Sequence, residues 1–372
     1  MSKIAIIHFA PLEFYPPIQN LLNELAREGG KTTIEVFTTR PVRTVLLPFG
    51  TSSDQIKLTR IGKSDMRLSP FLRYINYFLF FSSVLLRMLR CRYKKVMYFE
   101  TISSWPAYVY KRFFDKACEI FIHYHEYTSR EEYRHGMKLV RYFHRLESWL
   151  YPRAVWVSHT NAFRMDRFKE DIYPDVIHNP QIVPNYPPLK WRTEANQISK
   201  LPLRVVYVGA LSLSTMFVEN FATWILQQQG KVTWDLYSYN VNADVPLFFE
   251  RLNTPWITLN LGVDYDRLPA ILREYNVGVI LYKGHIPNYV LNAPNKLFEY
   301  LACGLDVWFP EVMTGSMDYV NKNGFPKVIS IDFNNLNKFD MVAAIERQGS
   351  ESKYLFFCEE ALKPLIDKLT QL

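Results

Sequence analysis

Residues 293–307 read APNKLFEYLACGLDV and carry the pattern that decides the fold. An Ala-Pro-Asn turn opens a helix, so unpaired backbone N–H groups and the positive end of the helix dipole face outward near Pro294. Lys296 adds a full positive charge, and Glu299 follows on nearly the same helix face. Gly304 ends the helix before the apolar chain re-enters a sheet. The segment predicts an anion-binding helix start inside an α/β sheet.

Strand-length apolar runs and helical patterns alternate on both sides of this segment. Such alternation is typical of parallel sheets built from right-handed crossovers. Strands are predicted in the first half at residues 3–9, 33–38, 96–99, 119–123, 155–158 and 176–178, and in the second at 204–208, 232–237, 257–259, 277–281 and 307–309. The sequence therefore predicts an α/β fold with two doubly wound, Rossmann-like domains.

A proline-rich stretch separates the two sets of elements. Five prolines from Pro180 to Pro202 disfavour both strand ladders and helices. We predict an N-terminal domain at residues 1–180, a linker at 181–202 and a C-terminal domain at 203–350, with a terminal helix in residues 351–372. Two domains agree with a length of 372 residues.

The positive charge is concentrated in the first half of the chain. The whole chain has a net charge of +8, but residues 1–180 hold 27 Lys and Arg against 17 Asp and Glu. Residues 57–95 alone contain ten basic residues and one acid. We expect this surface to attract an anionic partner. An anionic membrane is the expected partner, and nucleic acid is not.

An aromatic segment lies within the basic region. Residues 74–86 are thirteen uncharged residues, too few to cross a bilayer. Two interpretations remain: a core helix, or a helix lying on a membrane whose basic neighbours contact anionic lipid. The basic side chains proposed for such a membrane or acceptor patch are Arg73, Arg87, Arg90 and Lys94.

The sequence lacks the patterns of several common functional features, among them cysteine clusters, a signal peptide and two nucleotide-binding motifs. The four cysteines are far apart and form no CxxC pair, which favours a reducing cytoplasm over a disulfide framework or a zinc cage. The apolar run near the N-terminus, residues 4–7, is too short for a signal peptide, and prolines follow it closely. Neither a Walker loop nor GxGxxG is present, so ATP hydrolysis and dehydrogenase chemistry have no support.

The first half also carries a candidate catalytic group in FIHYHEYTS, residues 121–129. Side chains alternate along a strand, so His123 and His125 share one face near its end. Glu126 follows at the carboxyl edge, where open α/β sheets bind ligands. These groups either contact a substrate and accept a proton or are hydrogen-bonded core residues. A metal ion is not expected, because no third ligand is suitably spaced.

The segment PNKLFEYLACGLDV resembles the donor-site signature of nucleotide-sugar-dependent GT-B glycosyltransferases, in particular the retaining family 4 enzymes. Three more segments resemble that family in the same order: VVYVGAL at 205–211, ITLNLGVDYDRLPAIL at 257–272 and YNVGVILY at 275–282. The resemblance implies two domains facing each other across a cleft and a terminal helix that crosses back to the first. Asp264 and Asp266 form a D-x-D string, which GT-A transferases use to hold a divalent metal ion. They lie just ahead of the predicted helix RLPAILREY, where aspartates cap N-termini, and the layout is that of GT-B, so a metal ion is not expected here.

The resemblance assigns donor-binding roles in the second half. Glu299 would bind the ribose, Lys296 and the backbone after Asn295 the diphosphate, and the turn Gly262–Val263 the base. The complete donor set is Gly209, Gly262, Val263, Tyr282, Lys283, Asn295, Lys296, Leu297 and Glu299, and the catalytic candidates are His125, Glu126 and Lys296. The chain departs from the family at Leu291, where a second glutamate is usual, and at residues 211–215, which lack the usual Arg and Lys.

The resemblance implies sugar transfer from a nucleotide diphosphate sugar to a hydroxyl. We expect retention of configuration, no cofactor or metal, and a lipid-linked saccharide acceptor in surface polysaccharide synthesis, such as capsule or lipopolysaccharide. The expected location is cytoplasmic and peripheral on the inner membrane face. Two alternatives remain: a sugar-nucleotide epimerase of the same layout, and a non-catalytic scaffold that binds membrane or nucleic acid.

Overall fold

The computed structural model describes residues 3–28, 32–41, 46–51, 53–64, 68–172, 177, 179–193, 201–239, 241–321, 323–346 and 356–371. The chain divides into two compact units, Met1–Pro184 with Cys358–Leu372 and Asn185–Phe357. Each unit contains one parallel sheet with helices in its crossovers, so the predicted α/β class with two Rossmann-like domains is confirmed.

The first unit is built on a buried parallel sheet. Its strands are β1 (Lys3–Ile7), β2 (Thr33–Arg40), β3 (Ile56–Lys63), β4 (Lys95–Phe99), β5 (Glu119–Tyr124), β6 (Trp156–His159) and β7 (Pro180–Ile182). Its helices include α1 (Pro16–Glu28), α2 (Pro70–Cys91), α3 (Ser104–Val109), α4 (Arg130–His135), α5 (Lys138–Leu150) and α6 (Ala162–Ile172). The apolar run of β1 is buried on both faces, as continuous apolar strands of parallel sheets are.

The strand order of this sheet is β3-β2-β1-β4-β5-β6-β7 among the described residues. The chain therefore runs outward from β1 in one direction, then returns and continues from β4 in the other. This reversal creates a topological switch point between the carboxyl ends of β1 and β4, where open α/β sheets bind ligands.

The second unit repeats the arrangement with six described strands. They are β8 (Leu203–Val208), β9 (Val232–Ser238), β10 (Ile257–Leu261), β11 (Val277–Val279), β12 (Asp306–Pro310) and β13 (Val328–Ile331), in the order β10-β9-β8-β11-β12-β13. The helices of this unit are α7 (Val218–Gln227), α8 (Asp244–Leu252), α9 (Leu268–Leu272), α10 (Pro287–Val290), α11 (Asn295–Ala302) and α12 (Met341–Ile345). Its switch point lies between β8 and β11.

The proline-rich stretch is more structured than its composition suggests. Pro180 begins β7, the edge strand of the first sheet, where a missing N–H donor is tolerated. Further along, Trp191 is fully buried in the core of the second unit beside Tyr265. The expectation that these prolines interrupt the sheet was therefore wrong at Pro180. The strand predicted at 176–178 falls mostly outside the described residues.

The last helix, α13 (Cys358–Thr370), belongs to the first unit and packs against α1. Its apolar residues are buried, among them Leu362, Leu365 and Ile366. The expected start near residue 352 lies outside the described ranges. Across those ranges, none of the helices combines the length and the apolar character that crossing a bilayer requires.

Candidate functional site

The loops after four strands meet at the carboxyl edge of the second sheet. They carry Gly209 after β8, Tyr239 after β9, Gly262 after β10 and Tyr282 after β11. The central pair, β8 and β11, forms the switch point of this sheet. A ligand-binding crevice is therefore expected here, from topology alone.

Helix α11 begins beside this edge. Pro294 is its N-cap residue and has no side chain that can accept a hydrogen bond, so no side-chain cap is present. The first backbone N–H groups of a helix have no intrahelical partner, and the helix dipole is positive at this end. The start of α11 at Asn295 thus has the electrostatic character that binds phosphate groups.

Lys296, in the first turn of α11, extends over the turn at Gly209. A Cβ atom at position 209 would lie 2.6 Å from Cε of Lys296, and the φ angle of Gly209 is +136°. The positive φ angle favours glycine at this turn, and a side chain there would displace the end of Lys296. The Lys296 ammonium lies 5.6 Å from the ring centre of Tyr207 and 5.8 Å from that of Tyr282, within range of cation–π attraction.

Glu299 lies one helical turn after Lys296 and is only 6% exposed. Burial raises the pKa of Glu299 to about 7, and the positive charge of Lys296 opposes this increase. Burial acts to lower the pKa of Lys296, but Tyr282, Glu299 and Tyr239 together raise it, so its ammonium stays charged. The site thus combines a fixed cation with a carboxyl group that ionises near neutral pH.

Tyr300 fixes the position of α11 on the sheet. Its hydroxyl accepts a hydrogen bond from the backbone N–H of Val208 at 3.0 Å, at the end of β8. Its ring lies directly on β11, since a Cβ atom at Gly278 would be 2.1 Å from the ring. This close approach holds the start of the helix at the switch point.

The predicted base-binding turn lies against the end of β9. The backbone N–H of Gly262 donates to the carbonyl of Ser238 at 2.9 Å. A Cβ atom at position 262 would lie 2.6 Å from the backbone nitrogen of Tyr239, so a side chain has no room there. Val263 packs partly buried against the core that contains Leu297. Tyr239 itself interacts electrostatically with both Lys296 and Glu299.

Lys283 is held differently from Lys296. Its ammonium donates to the carbonyl of Leu213 at 2.9 Å. It also lines a separate cavity of about 450 Å³ together with Glu311 and Asp332. Among the predicted donor residues, the structure therefore brings Lys296 and Glu299 together and places Lys283 among acidic neighbours.

Histidines and a glutamate line the switch point of the first sheet. His8 follows β1, is 2% exposed and packs against the rings of Tyr15 and Phe99. Neither of its ring nitrogens has a hydrogen-bond partner in the described part of the chain. Burial lowers the pKa of His8 well below its usual value, and His125 lowers it further, so the ring is neutral.

The predicted histidine pair is close together. The rings of His123 and His125 have centroids 4.5 Å apart, and His123 shares a 2.8 Å hydrogen bond with the hydroxyl of Ser158. His125 also stacks on Phe99, with centroids 5.2 Å apart. Glu126 is exposed in the following loop. The pair is thus partly bonded into the core, as one of the two interpretations expected.

Glu100, which follows β4, connects these groups. Its carboxylate accepts the backbone N–H of His125 at 2.7 Å and that of Glu126 at 3.3 Å. Its φ angle is +61°, which is rare for a residue with a side chain. Burial, with a contribution from Glu126, raises the pKa of Glu100 to about 8. Arg164 is buried nearby and donates to the carbonyl of His125 at 2.5 Å.

Several solved structures share this architecture. Sucrose-phosphate synthase from Thermosynechococcus elongatus aligns with a TM-score of 0.66 at 14% identity, over 100% of this chain and 95% of that chain. HepE from Anabaena, in complex with UDP and glucose, aligns with a TM-score of 0.64 at 12% identity, over 100% of both chains. The chain has the GT-B fold.

The GT-B match also includes an epimerase. UDP-GlcNAc 2-epimerase from Neisseria meningitidis, bound to UDP-GlcNAc, aligns with a TM-score of 0.56 at 10% identity, over 100% of both chains. No protein-family model matches the sequence, and no curated protein matches it. At such low identities the similarity concerns the GT-B fold.

The basic residues predicted for a membrane patch have different environments in this GT-B chain. Arg87 binds the buried carboxylate of Glu35 at 3.0 Å and so serves the interior of the first unit. Lys94 is exposed and pairs with Asp115 at 3.2 Å. Arg90 is exposed and Arg73 partly buried. Arg87 is therefore less available than the sequence suggested.

Three groups at the GT-B strand ends were not predicted from sequence. They are His8, Glu100 and Tyr239. His8 and Glu100 are the first residues after apolar strands that border a switch point, and this position was the available signal. Tyr239 follows β9, which does not border the switch point of its sheet, and its local sequence gives no such signal. Asp264 was expected to cap a helix; it occupies the N-cap position of the short 3-10 turn Tyr265–Arg267, but its side chain makes no capping bond.

Proposed function

We propose that this chain is a glycosyltransferase that moves a sugar from a nucleoside diphosphate sugar to a hydroxyl group of a saccharide. One observation carries the proposal: a charged Lys296 and a buried Glu299 lie one turn apart at the uncapped start of α11, beside the switch point of a GT-B fold. A cation with free helix N–H groups suits a diphosphate, and a buried carboxylate suits a pair of ribose hydroxyls.

The donor roles follow from this geometry. The N–H groups at the start of α11 and the Lys296 ammonium bind the diphosphate, and Glu299 accepts hydrogen bonds from the ribose. The turn Gly262–Val263 with Tyr239 takes the base. When the bond from the sugar to the diphosphate breaks, negative charge grows on the leaving phosphate, and these fixed positive groups stabilise it. We propose that this stabilisation needs no metal ion.

The acceptor-side groups are proposed in the first unit. His125 and Glu126 lie in the loop after β5, and the Glu100 carboxylate holds the backbone of both. In the proposed reaction the acceptor oxygen bonds to the sugar carbon as the bond from that carbon to the diphosphate breaks, with retention of configuration. The proton of the acceptor hydroxyl passes to His125 or Glu126. We assign His125 and Glu126 to contact with the acceptor hydroxyl and Glu100 to positioning them.

Nucleotide binding tests the proposal first. The full chain is mixed with UDP, GDP and their sugars, and thermal stabilisation is measured, since a ligand bound by the native state raises stability by ~2.7 kcal/mol at 100 times its Kd. We expect one nucleotide series to stabilise the wild type and to lose this effect in Glu299→Ala. Glu274→Ala, at an exposed position of the same unit, is the matched control. Normal stabilisation of Glu299→Ala contradicts the proposal.

Product analysis separates the proposed transferase from an epimerase. The structural similarity to a UDP-GlcNAc 2-epimerase favours that reaction as the second candidate. A transferase releases free nucleoside diphosphate and needs an acceptor for sustained turnover. An epimerase interconverts two nucleotide sugars with no acceptor. A chain that binds nucleotide but catalyses neither reaction is a non-catalytic scaffold.

We further propose a lipid-linked saccharide as the acceptor, in surface polysaccharide synthesis on the cytoplasmic face of the membrane. The excess of basic residues in the first half and the exposed apolar side chains of α2 support this acceptor class. Labelled donor is incubated with the chain and bacterial lipid extract, and label that moves into the organic phase supports the proposal. Label transferred only to water-soluble saccharides contradicts it.

A further inference from the structure

Helix α2 has two apolar faces, although only one of them packs on the unit. The inner face is buried and consists of Tyr77, Phe80, Phe81, Val84 and Met88. The outer face carries a second apolar row, which we call the outer stripe: Phe71, Ile75, Phe78, Leu79 and Leu86. A helix on the surface of a globular unit usually presents polar residues on its outer face.

The outer stripe is strongly exposed. Phe71 is 72% exposed, Phe78 71% and Leu86 66%. At about 100° of rotation per residue, its members fall within an arc of about 100° around the helix axis, so they share one side of the helix. From Phe71 to Leu86 the stripe extends over about 22 Å, given a rise of about 1.5 Å per residue. An apolar surface of this length marks an interaction site.

A neighbouring segment adds to this surface. The π-helical turn Tyr110–Phe114 contacts α2 and exposes Phe113 by 67% and Phe114 by 57%. Phe81 of α2 also packs against Trp105 of α3 and Phe143 of α5, so α2 is joined to these helices through its inner face. We call the outer stripe together with Phe113 and Phe114 the docking patch.

Exposed cations accompany the docking patch. Arg90 lies in the last turn of α2 and Arg92 just after it, while Arg112 and Lys116 lie in or just after the π-helical turn. All four are exposed. Aromatic and leucine side chains combined with Arg and Lys fit the boundary between anionic headgroups and acyl chains. A protein partner with an apolar groove would not by itself account for this charge.

We propose that the docking patch binds the surface of an anionic lipid bilayer. The outer stripe and the two phenylalanines enter the headgroup–acyl boundary, and the four cations contact anionic headgroups. α2 lies along the membrane and does not cross it. The inference rests on the proposed peripheral location, but it does not depend on the transfer reaction.

Vesicle binding tests the inference without donor or acceptor. The full chain is sedimented with vesicles of phosphatidylcholine alone and with vesicles of equal parts phosphatidylcholine and phosphatidylglycerol. The variants are Phe71→Ser with Phe78→Ser, and Arg90→Glu with Arg112→Glu. Their matched controls, Leu247→Ser and Arg251→Glu, change exposed residues on α8 of the second unit.

We expect binding to the anionic vesicles that weakens with salt and exceeds binding to the neutral ones. The double variant Phe71→Ser with Phe78→Ser should lower the partition coefficient at least tenfold, because it removes two rings that enter the apolar boundary. A tenfold change corresponds to ~1.4 kcal/mol of binding free energy. The charge reversals should also weaken binding, and the controls should bind as the wild type does. Unchanged binding of both double variants overturns the proposal.

A second measurement covers the remaining outcomes. Leu86→Ser, at the far end of the outer stripe, tests the surface independently if the phenylalanine pair fails to fold. An unchanged circular dichroism spectrum and urea midpoint of each variant show that the first unit is folded, so loss of vesicle binding then concerns the docking patch. Sedimentation velocity without vesicles tests self-association. A dimer that the phenylalanine pair dissociates assigns the patch to a second copy of the chain and overturns the membrane proposal.

Discussion

Replacing Gly209 by alanine tests whether Lys296 must lie over the turn after β8. The new methyl group meets Lys296 at 2.6 Å from Cε and 2.8 Å from Nζ. Both atoms belong to the flexible end of a side chain, so the lysine moves and the backbone does not. The φ angle of +136° also becomes unfavourable, because side chains rarely adopt it.

Two effects of different size follow. Backbone strain at such an angle costs ~1–3 kcal/mol of folding free energy. Displacing the Lys296 ammonium would remove the proposed charge-assisted hydrogen bond to the diphosphate, worth ~1.5–3 kcal/mol. The second effect corresponds to a nucleotide Kd about ten- to 150-fold higher. The backbone strain of Gly209→Ala lowers stability whether or not Lys296 is present, whereas its loss of nucleotide affinity occurs only when Lys296 is present.

A double-mutant cycle separates the two effects. Nucleotide Kd is measured by calorimetry, and stability by urea unfolding, for Gly209→Ala, Lys296→Ala and the double variant. In the Lys296→Ala background, Gly209→Ala should lower stability as before but change affinity little. Gly50→Ala is the control, since nothing lies within 4 Å of a Cβ there. Affinity losses that add in the double variant refute the proposed contact.

Three further predictions concern stability. Because burial raises the pKa of Glu299 to about 7, the folded chain holds this proton between pH 4.5 and 7 while the unfolded chain releases it, so stability falls through that window. The free energy of unfolding of Glu299→Gln, relative to that of the wild type, should therefore rise by ~3 kcal/mol from pH 4 to pH 8 in urea unfolding. The same difference between the two proteins at both pH values would be inconsistent with this. Tyr300→Phe leaves the partly buried N–H of Val208 without its acceptor and should cost about 1 kcal/mol, whereas an unchanged urea midpoint disproves it. Asn161→Ala removes the side chain that accepts an N–H in the first turn of α6, and the expected loss of ~1 kcal/mol shows as a lower melting temperature.

Elements whose ends are marked by proline or glycine were predictable from sequence. α11 spans Asn295–Ala302 as predicted, because Pro294 and Gly304 mark its two ends. β13 was missed although its sequence VISI is apolar, whereas β3 was missed for a physical reason. The β3 sequence IKLTRIGK alternates apolar and charged residues in a half-buried edge strand, and the same letters fit a basic surface loop. Long apolar runs identify buried strands, and β3 lacks this signal.

The parts of the site that come from neighbouring residues in the sequence were predictable. The parts that tertiary folding brings together from distant segments were not. Lys296 and Glu299 are three residues apart on one helix, so their proximity followed from helix geometry. Tyr239 approaches them from another strand, and nothing in its local sequence indicates this. Glu100 was missed because its role depends on a rare φ angle and on N–H groups some twenty-five residues away.

Cations illustrate a limit of charge patterning. Arg87 and Lys283 were assigned to a membrane patch and to the diphosphate, because a sequence shows only that a positive charge is present. In the structure the buried carboxylate of Glu35 takes Arg87 as its partner, since a buried charge requires one. Lys283 satisfies the carbonyl of Leu213. The excess charge of the first half therefore overstates the charge available to a membrane, and the apolar outer stripe must supply much of the binding energy. Strong salt dependence with no effect of the phenylalanine pair would show the opposite balance.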